Sequence, residues 1–137
     1  MITLLTKVQI IDNSGGLVGR CIKILSPKDH KVAKLGDVVL ITILKTSINT
    51  SGNSMKRGDI YKALVVRSAS KNSHISKFKT SYSPVFNSSA VVLIKVTPKG
   101  GYEPIGSRIK GPIPSVLTLY KNSHLYQKVL SISRQFI

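Results

Sequence analysis

Five short segments rich in valine, isoleucine and leucine, each bounded by turn residues, constrain the fold of this chain more than any other feature of its sequence. Segments of this length and composition are typical of β-strands, and regularly spaced turns between them favour an all-β barrel over a βαβ sheet. Two of the segments follow a Gly-Asp pair, in which glycine permits a positive φ and aspartate caps the turn. The predicted strands are Leu4–Ile11, Leu17–Leu25, Val38–Leu44, Ile60–Val66 and Ala90–Val96.

The stretches outside these segments predict turns, one long loop and a helical end. Asp12 to Gly16 has the composition of a tight turn. Ser68 to Pro84 predicts a polar, basic loop of about 17 residues, a length that indicates a function or a flexible arm. After Pro112 the strand pattern stops, and short helices are expected from Ser115 to Leu119 or Tyr120 and from His124 to Ser131.

The length and the strand pattern together predict one domain. A chain of 137 residues fits a single domain, here a barrel over about residues 1–112 with a small helical part over about 113–137. Within the second predicted strand, regular alternation places Lys23 on the same face as Cys21 and Leu25.

The charge of the chain indicates a polyanionic partner. It carries 21 Lys and Arg against 5 Asp and Glu, a net charge of +16. Such an excess repels itself in the free protein, and nucleic acid relieves that repulsion. No acidic residue lies between Ile60 and Tyr102, and none follows Glu103. The alternative, a basic surface kept only for solubility, explains these acid-free stretches less well, and the apolar runs fall far short of the ~20 residues of a transmembrane helix.

Residues for catalysis or metal binding are not grouped in the sequence. No paired carboxylates, metal-ligand spacing or phosphate-binding glycine motif occurs, so neither an enzyme nor a cofactor is predicted. Cys21 lies inside an apolar strand and is expected to be a buried, inert thiol. The chain start lacks a signal-peptide layout, so folded sequence is expected almost from Met1. The scattered histidines, expected on the surface, are His30, His74 and His124, and the acids, expected to cap turns, are Asp12, Asp29, Asp37, Asp59 and Glu103.

Aromatic residues are sparse, with 5 Tyr, 3 Phe and no Trp. Phe78 and Tyr82, in the long basic loop, could stack on unpaired bases or pack on the protein, whereas Phe86 is expected in the core. So few aromatics favour recognition of phosphates and groove shape over the binding of single strands.

Five blocks, in order along nearly the whole chain, resemble the universal large-subunit ribosomal protein fourteen family. They are Asp12-Asn13-Ser14-Gly15 with Cys21–Leu25, Gly36–Ile43, Lys56–Arg67, Phe86–Leu93 and Glu103–Pro112. The chain departs from the family between Ser68 and Val85, where the usual short Asp-Gly loop is replaced, and at Asn87-Ser88, which replaces an acidic-glycine pair.

The resemblance implies a five-stranded OB-like barrel with short C-terminal helices, built into the large ribosomal subunit. It implies binding to large-subunit rRNA at the intersubunit face, a bridge to small-subunit rRNA, and contact with a neighbouring large-subunit protein. A ribosome-silencing factor docks on the family near the positions of Ser107 and Arg108. The loops rich in Ser, Asn and Lys suggest a mitochondrial member of fungal type, with a bacterial or plastid ribosome as the alternative.

Basic residues within or beside these blocks are the predicted contacts to rRNA phosphates and sugars. They are Lys23, Arg57, Lys62, Arg67, Lys71, Lys77, Lys79, Arg108 and Lys110. Two other functions remain as hypotheses: a free OB-like nucleic-acid-binding module, which predicts more exposed aromatics, and a small enzyme, which predicts a clustered acid, base or metal set.

Overall fold

Five strands close into a barrel in this computed structural model, which describes residues 2–25, 31–48, 55–69, 85–120 and 124–137. Neighbours in the chain pair antiparallel, and the first strand closes the barrel by pairing parallel with the fifth, with Gln9 beside Ala90 and Ile10 beside Val91. The predicted five-stranded barrel is therefore confirmed. The strands are β1 (Lys7–Ile10), β2 (Gly16–Ile24), β3 (Val38–Thr46), β4 (Ile60–Arg67) and β5 (Ala90–Val96).

The interior of the barrel is filled by alternate residues of each strand. In β3 the inward side chains are Val39, Ile41 and Ile43, all fully buried. Gly16 and Gly19 of β2 leave the room that these and neighbouring side chains occupy, since a Cβ on either glycine would lie 2.8 Å from an isoleucine Cδ1. Glycine is thus favoured here by close packing rather than by backbone conformation.

The turns before β3 and β4 are built alike, as the repeated Gly-Asp pair predicts. The carboxylate of Asp37 accepts a hydrogen bond from Lys34 N at 2.8 Å, and that of Asp59 accepts one from Lys56 N at 2.9 Å. The glycine before each aspartate has a positive φ of 86° or 94°. Both aspartates therefore cap turns, as expected.

A β-bulge in β2 overturns the predicted orientation of Lys23. Cys21 pairs with Ile41 and Lys23 pairs with Leu40, so Ile22 is an extra residue in the ladder. The extra residue reverses the alternation, and Lys23 is exposed whereas Cys21 is fully buried. Burial also raises the pKa of the Cys21 thiol, in agreement with the expectation of an inert cysteine.

A sixth strand and two short helices complete the fold. Strand β6 (Tyr102–Pro104) pairs with β5; it was not predicted, because three residues that include a proline carry no strand signal. The predicted helices occur as a 3-10 helix (Ser115–Tyr120) and α1 (His124–Ile132). Glu103, expected to cap a turn, instead lies in β6, and its hydrogen bond with Lys128 of α1 lowers its pKa.

The helical end packs on the outer surface of β4 and β5. Outward side chains of β4 and β5 pack in a second apolar layer, each large aliphatic side chain contributing about 1.5–3 kcal/mol by its burial. The ends of this part are joined by backbone hydrogen bonds between residues 113–115 and 135–137. The layer contains Leu64, Val66, Val92 and Ile94 of the barrel and Ile113, Leu117, Leu125 and Val129 of the C-terminal part.

Candidate nucleic-acid interface

The outer surface of β1, β2, β3 and the start of β4 carries a group of cations. Lys7 pairs directly with Arg20, and Lys23 and Lys62 flank Leu40 on neighbouring strands. Residues paired directly across a ladder share one face of the sheet, so these cations lie side by side. The four residues Lys7, Arg20, Lys23 and Lys62 are called the basic face below.

Among the described residues, no carboxylate forms an ion pair with these cations. Strands β1 to β5 contain no Asp or Glu, and within the described ranges the ion pair present is Lys128 with Glu103, beside α1. Lys62 lies 5.2 Å from the centre of the Tyr102 ring, which leaves its ammonium free to bond an anion. The arrangement suits phosphate groups, because clustered cations on a rigid sheet release counterions without reordering the protein.

A second candidate surface is residues 106–111, called the closing segment. Ser107, Arg108 and Lys110 are exposed in it, and Asn13 holds it against the β1–β2 turn. The Asn13 Oδ1 atom accepts hydrogen bonds from Ser107 N at 2.8 Å and Arg108 N at 3.1 Å, while its Nδ2 donates to Ser107 Oγ at 3.0 Å. Gly106 packs so closely that a Cβ there would lie 2.7 Å from Asn13 Oδ1.

Arg67 holds the other end of the closing segment. Its Nη2 donates to the carbonyl of Lys110 at 3.2 Å, and its guanidinium lies 5.8 Å from the centre of the Phe86 ring. Gly111 has a positive φ of +83°, and a Cβ atom at this position would lie 3.2 Å from that Nη2. Partial burial lowers the pKa of Arg67. The segment is therefore positioned by protein contacts at both ends, and Phe86 is buried as predicted.

Asp12 joins the β1–β2 turn to the barrel wall. It is buried, and its carboxylate accepts hydrogen bonds from Ser14 N and Oγ and from Leu93 N at 2.9 Å. Gln9 N donates to the carbonyl of Ser89, just before β5, and Ile11 N donates to that of Val91 in β5. The Asp12 carboxylate, which accepts from Leu93 N, therefore continues this row of hydrogen bonds beyond the end of β1. Burial raises the pKa of Asp12 despite these bonds. The folded chain therefore holds the Asp12 proton more tightly than the unfolded chain does. The protonated carboxyl thus adds to the free energy of unfolding at low pH, and this added stability is lost as the pH rises through the raised pKa.

The predicted contact residues fall into separate groups. Lys23 and Lys62 lie on the basic face, Arg108 and Lys110 in the closing segment, and Arg57 is exposed at the turn before β4. Residues with predicted roles that lie outside the described ranges are Lys71, Lys77, Lys79, Phe78, Tyr82, His30, His74 and Asp29.

Sequence reasoning missed Lys7, Arg20 and Asn13. Alternation offered a signal for two of them, since Lys7 precedes the inward Val8 and Arg20 lies between the inward Gly19 and Cys21. Asn13 offered none beyond its turn composition, because its partners lie 94 and 95 residues away. Over the part of the chain that is described, no cluster of three metal-ligating side chains occurs, and no helix has the length and apolarity to span a membrane.

Replacing Asn13 by Ala should loosen the closing segment, because the amides of Ser107 and Arg108 lose their acceptor. We expect faster hydrogen exchange at these two amides and a loss of about 1–2 kcal/mol in the free energy of unfolding. Asn13→Asp is the matched control, since a carboxylate can still accept from both amides and from the Ser107 hydroxyl. Equal exchange in the two variants would show that Asn13 does not hold the segment.

A sequence model of a family described as ribosomal protein L14p/L23e matches residues 1–137, the full length of the chain.

Proposed function

This chain belongs to the ribosomal protein L14p/L23e family, and from that premise we propose that it anchors large-subunit rRNA through the basic face, near the surface that meets the small subunit. Members of this family are structural proteins of the large ribosomal subunit and not enzymes, and they bind rRNA and other ribosomal proteins.

The observation that carries the proposal is the acid-free outer surface of β1 to β4. Lys7, Arg20, Lys23 and Lys62 stand on strands of a closed barrel, so their spacing is set by the ladder and does not have to be created on binding. Contacts of this kind position a protein on the RNA backbone without reading its sequence. The predicted role is therefore a rigid support for folded rRNA, with a bridge to small-subunit rRNA close by.

The closing segment is proposed as a protein-binding surface. Ser107 and Arg108 are exposed and held in place by Asn13, which suits docking of a neighbouring large-subunit protein or a ribosome-silencing factor. Arg108 and Lys110 stay proposed rRNA contacts as well. For Arg67 the contact to rRNA is supported less, since its Nη2 already bonds the Lys110 carbonyl and its Nε is buried.

The proposed location is the mitochondrial ribosome, on the ground of the loops rich in Ser, Asn and Lys. A tagged chain fractionated on sucrose gradients should sediment with the mitochondrial large subunit at low salt. Sedimentation with a bacterial or plastid large subunit would correct the compartment alone. A chain that binds single-stranded RNA but stays at the top of the gradient at low salt would instead be a free binding module, and the proposed function would be wrong.

A further inference from the structure

An open cleft lies between the turn that joins β5 to β6 and the start of α1. Its volume is about 470 Å³, which is within the range of sites that bind small ligands. Among the described residues, its lining consists of residues 97–99 and 101 of the turn, Tyr102 and Glu103 of β6, and His124 of α1.

Hydrogen bonds hold the walls of the cleft in place. In the turn, Thr97 N donates to Gly101 O at 2.8 Å and Gly100 N donates to Thr97 O at 2.9 Å. The hydroxyl oxygen of Thr97 also accepts a hydrogen bond from Gly101 N at 3.0 Å. On the other side, the bond between Lys128 and Glu103 fastens α1 to β6. The shape of the cleft is therefore set by the fold and does not have to form when a ligand enters.

Tyr102 connects the cleft to the basic face. Its ring lines the cleft, and Lys62 Nζ lies 5.2 Å from the centre of that ring. Because Lys62 belongs to the basic face, an RNA phosphate bound to it would lie beside an aromatic ring. Aromatic side chains are common stacking partners of unpaired RNA bases. The basic face and the cleft can therefore hold one nucleotide between them, with its phosphate on the first and its base in the second.

Glu103 defines which part of a nucleotide the cleft admits. Its side chain is partly exposed, and its Oε1 accepts a hydrogen bond from Lys128 Nζ. An ionised carboxylate offers several acceptor sites and no donor, so it cannot hydrogen-bond to a phosphate or to the carboxylate of an acidic peptide. The amino groups of adenine and cytosine can donate to it. A neutral base therefore fits this cleft better than an anionic group does.

We propose that the cleft binds one unpaired nucleotide of the RNA on the basic face, with the base stacked on Tyr102 and the phosphate bonded by Lys62. The inference rests on the proposed function, because it adds a base contact to the same RNA. One ring is enough for one base, in keeping with the few aromatic residues of the chain. Lys62 supplies the cation for the phosphate, so the site does not depend on Lys99 in the turn.

Three synthetic RNA stems test the inference on the purified, unaltered chain. One stem is fully paired, the second carries a single unpaired adenosine, and the third has an abasic nucleotide in place of that adenosine. We expect the stem with the unpaired adenosine to bind about tenfold more tightly than the other two, the scale of one base stacked on an aromatic side chain. The abasic stem keeps the extra phosphate, so it separates a base contact from a preference for distorted RNA. Fluorescence anisotropy at one salt concentration measures all three affinities.

Two variants of Tyr102 locate the base in the cleft. Tyr102→Leu should abolish the tenfold preference, because an aliphatic side chain offers no ring on which a base can stack. Tyr102→Phe is the matched control and should keep the preference. The preference is a ratio of two affinities of one variant, so a general loss of charge contacts cancels. Free adenosine monophosphate should compete weakly, because it lacks the other contacts to the basic face.

Three results overturn the inference and leave the proposed function standing: equal affinity for the three stems, a preference that Tyr102→Leu retains, or binding of free adenosine monophosphate as tight as that of the stem with the unpaired adenosine. Absence of binding to every stem overturns the inference as well. Binding of the same chain to large-subunit rRNA in the same buffer then decides the proposed function, which fails if that RNA is not bound either.

Discussion

Replacing Asp12 by Ala should lower the free energy of unfolding by about 2–4 kcal/mol, because the buried N–H groups of Ser14 and Leu93 would lose their acceptor. Loss of the desolvated charge offsets part of this cost, since burial already raises the Asp12 pKa. Thermal or urea unfolding of the purified chain measures the difference. A shift of this size corresponds to roughly 10 °C in the thermal midpoint of a domain of this length.

Asp12→Asn keeps the shape of the side chain but removes one of its two acceptor oxygens, so it tests the hydrogen bonds and not the packing. Its amide oxygen can satisfy one of the two N–H groups, but its NH₂ group then faces the other as a second donor. We therefore expect a stability below that of the natural chain, with amide exchange at Leu93 faster than before. A variant with Ala at position 12 that unfolds at the same midpoint as the natural chain would show that barrel closure does not depend on this carboxylate.

Reversing two charges of the basic face should have the largest effect on RNA binding. For the double variant Lys23→Glu with Lys62→Glu, we expect affinity for large-subunit rRNA to fall by about 100-fold or more near 0.1 M salt, since two attractive phosphate contacts become repulsive. The plot of log affinity against log salt concentration should become shallower, with the magnitude of its slope lower by about 2, one for each lost contact. Filter binding of the purified chain over a range of salt concentrations measures both quantities.

The matched control carries the same change of charge beside α1. Lys34 and Lys99 are exposed; Lys34 precedes the turn whose Gly36 carbonyl accepts a hydrogen bond from Tyr126, and Lys99 lines a cleft with His124. Lys34→Glu with Lys99→Glu should leave the salt slope within about 0.5 of the original. If both double variants weaken binding equally while unfolding at the original midpoint, net charge decides affinity and the basic face is not a site.

Much of the barrel could be predicted from local sequence. Strand-length apolar segments and the repeated Gly-Asp pair located β1 to β5, because turn geometry and alternation are properties of neighbouring residues. The end of the strand pattern after Pro112 located the two helices. Strand β6 was missed because it is an edge strand three residues long, ordered by pairing with β5 and by the contact of Glu103 with Lys128.

The candidate site was predicted in part. The acid-free stretches contain Lys62, Arg108 and Lys110, and the blocks of the resemblance also include Lys23. The orientation of Lys23 was wrong, however, because a single extra residue at Ile22 reverses the face of every residue after it. The local sequence does not predict such a bulge, since the bulge arises from the register of β2 against β3.

What the sequence by itself determined is the chemistry of the chain and the period of its strands. The excess of cations, the absence of a clustered acid or metal set, and the alternation of apolar residues are all present before folding, and together they define a basic β-barrel with an anionic partner. Only the tertiary structure decided which cations share a surface. Lys7 reaches Arg20, and Asn13 reaches Arg108, through ladders and turns that join distant parts of the chain, and such contacts follow from the register of closure rather than from any local preference.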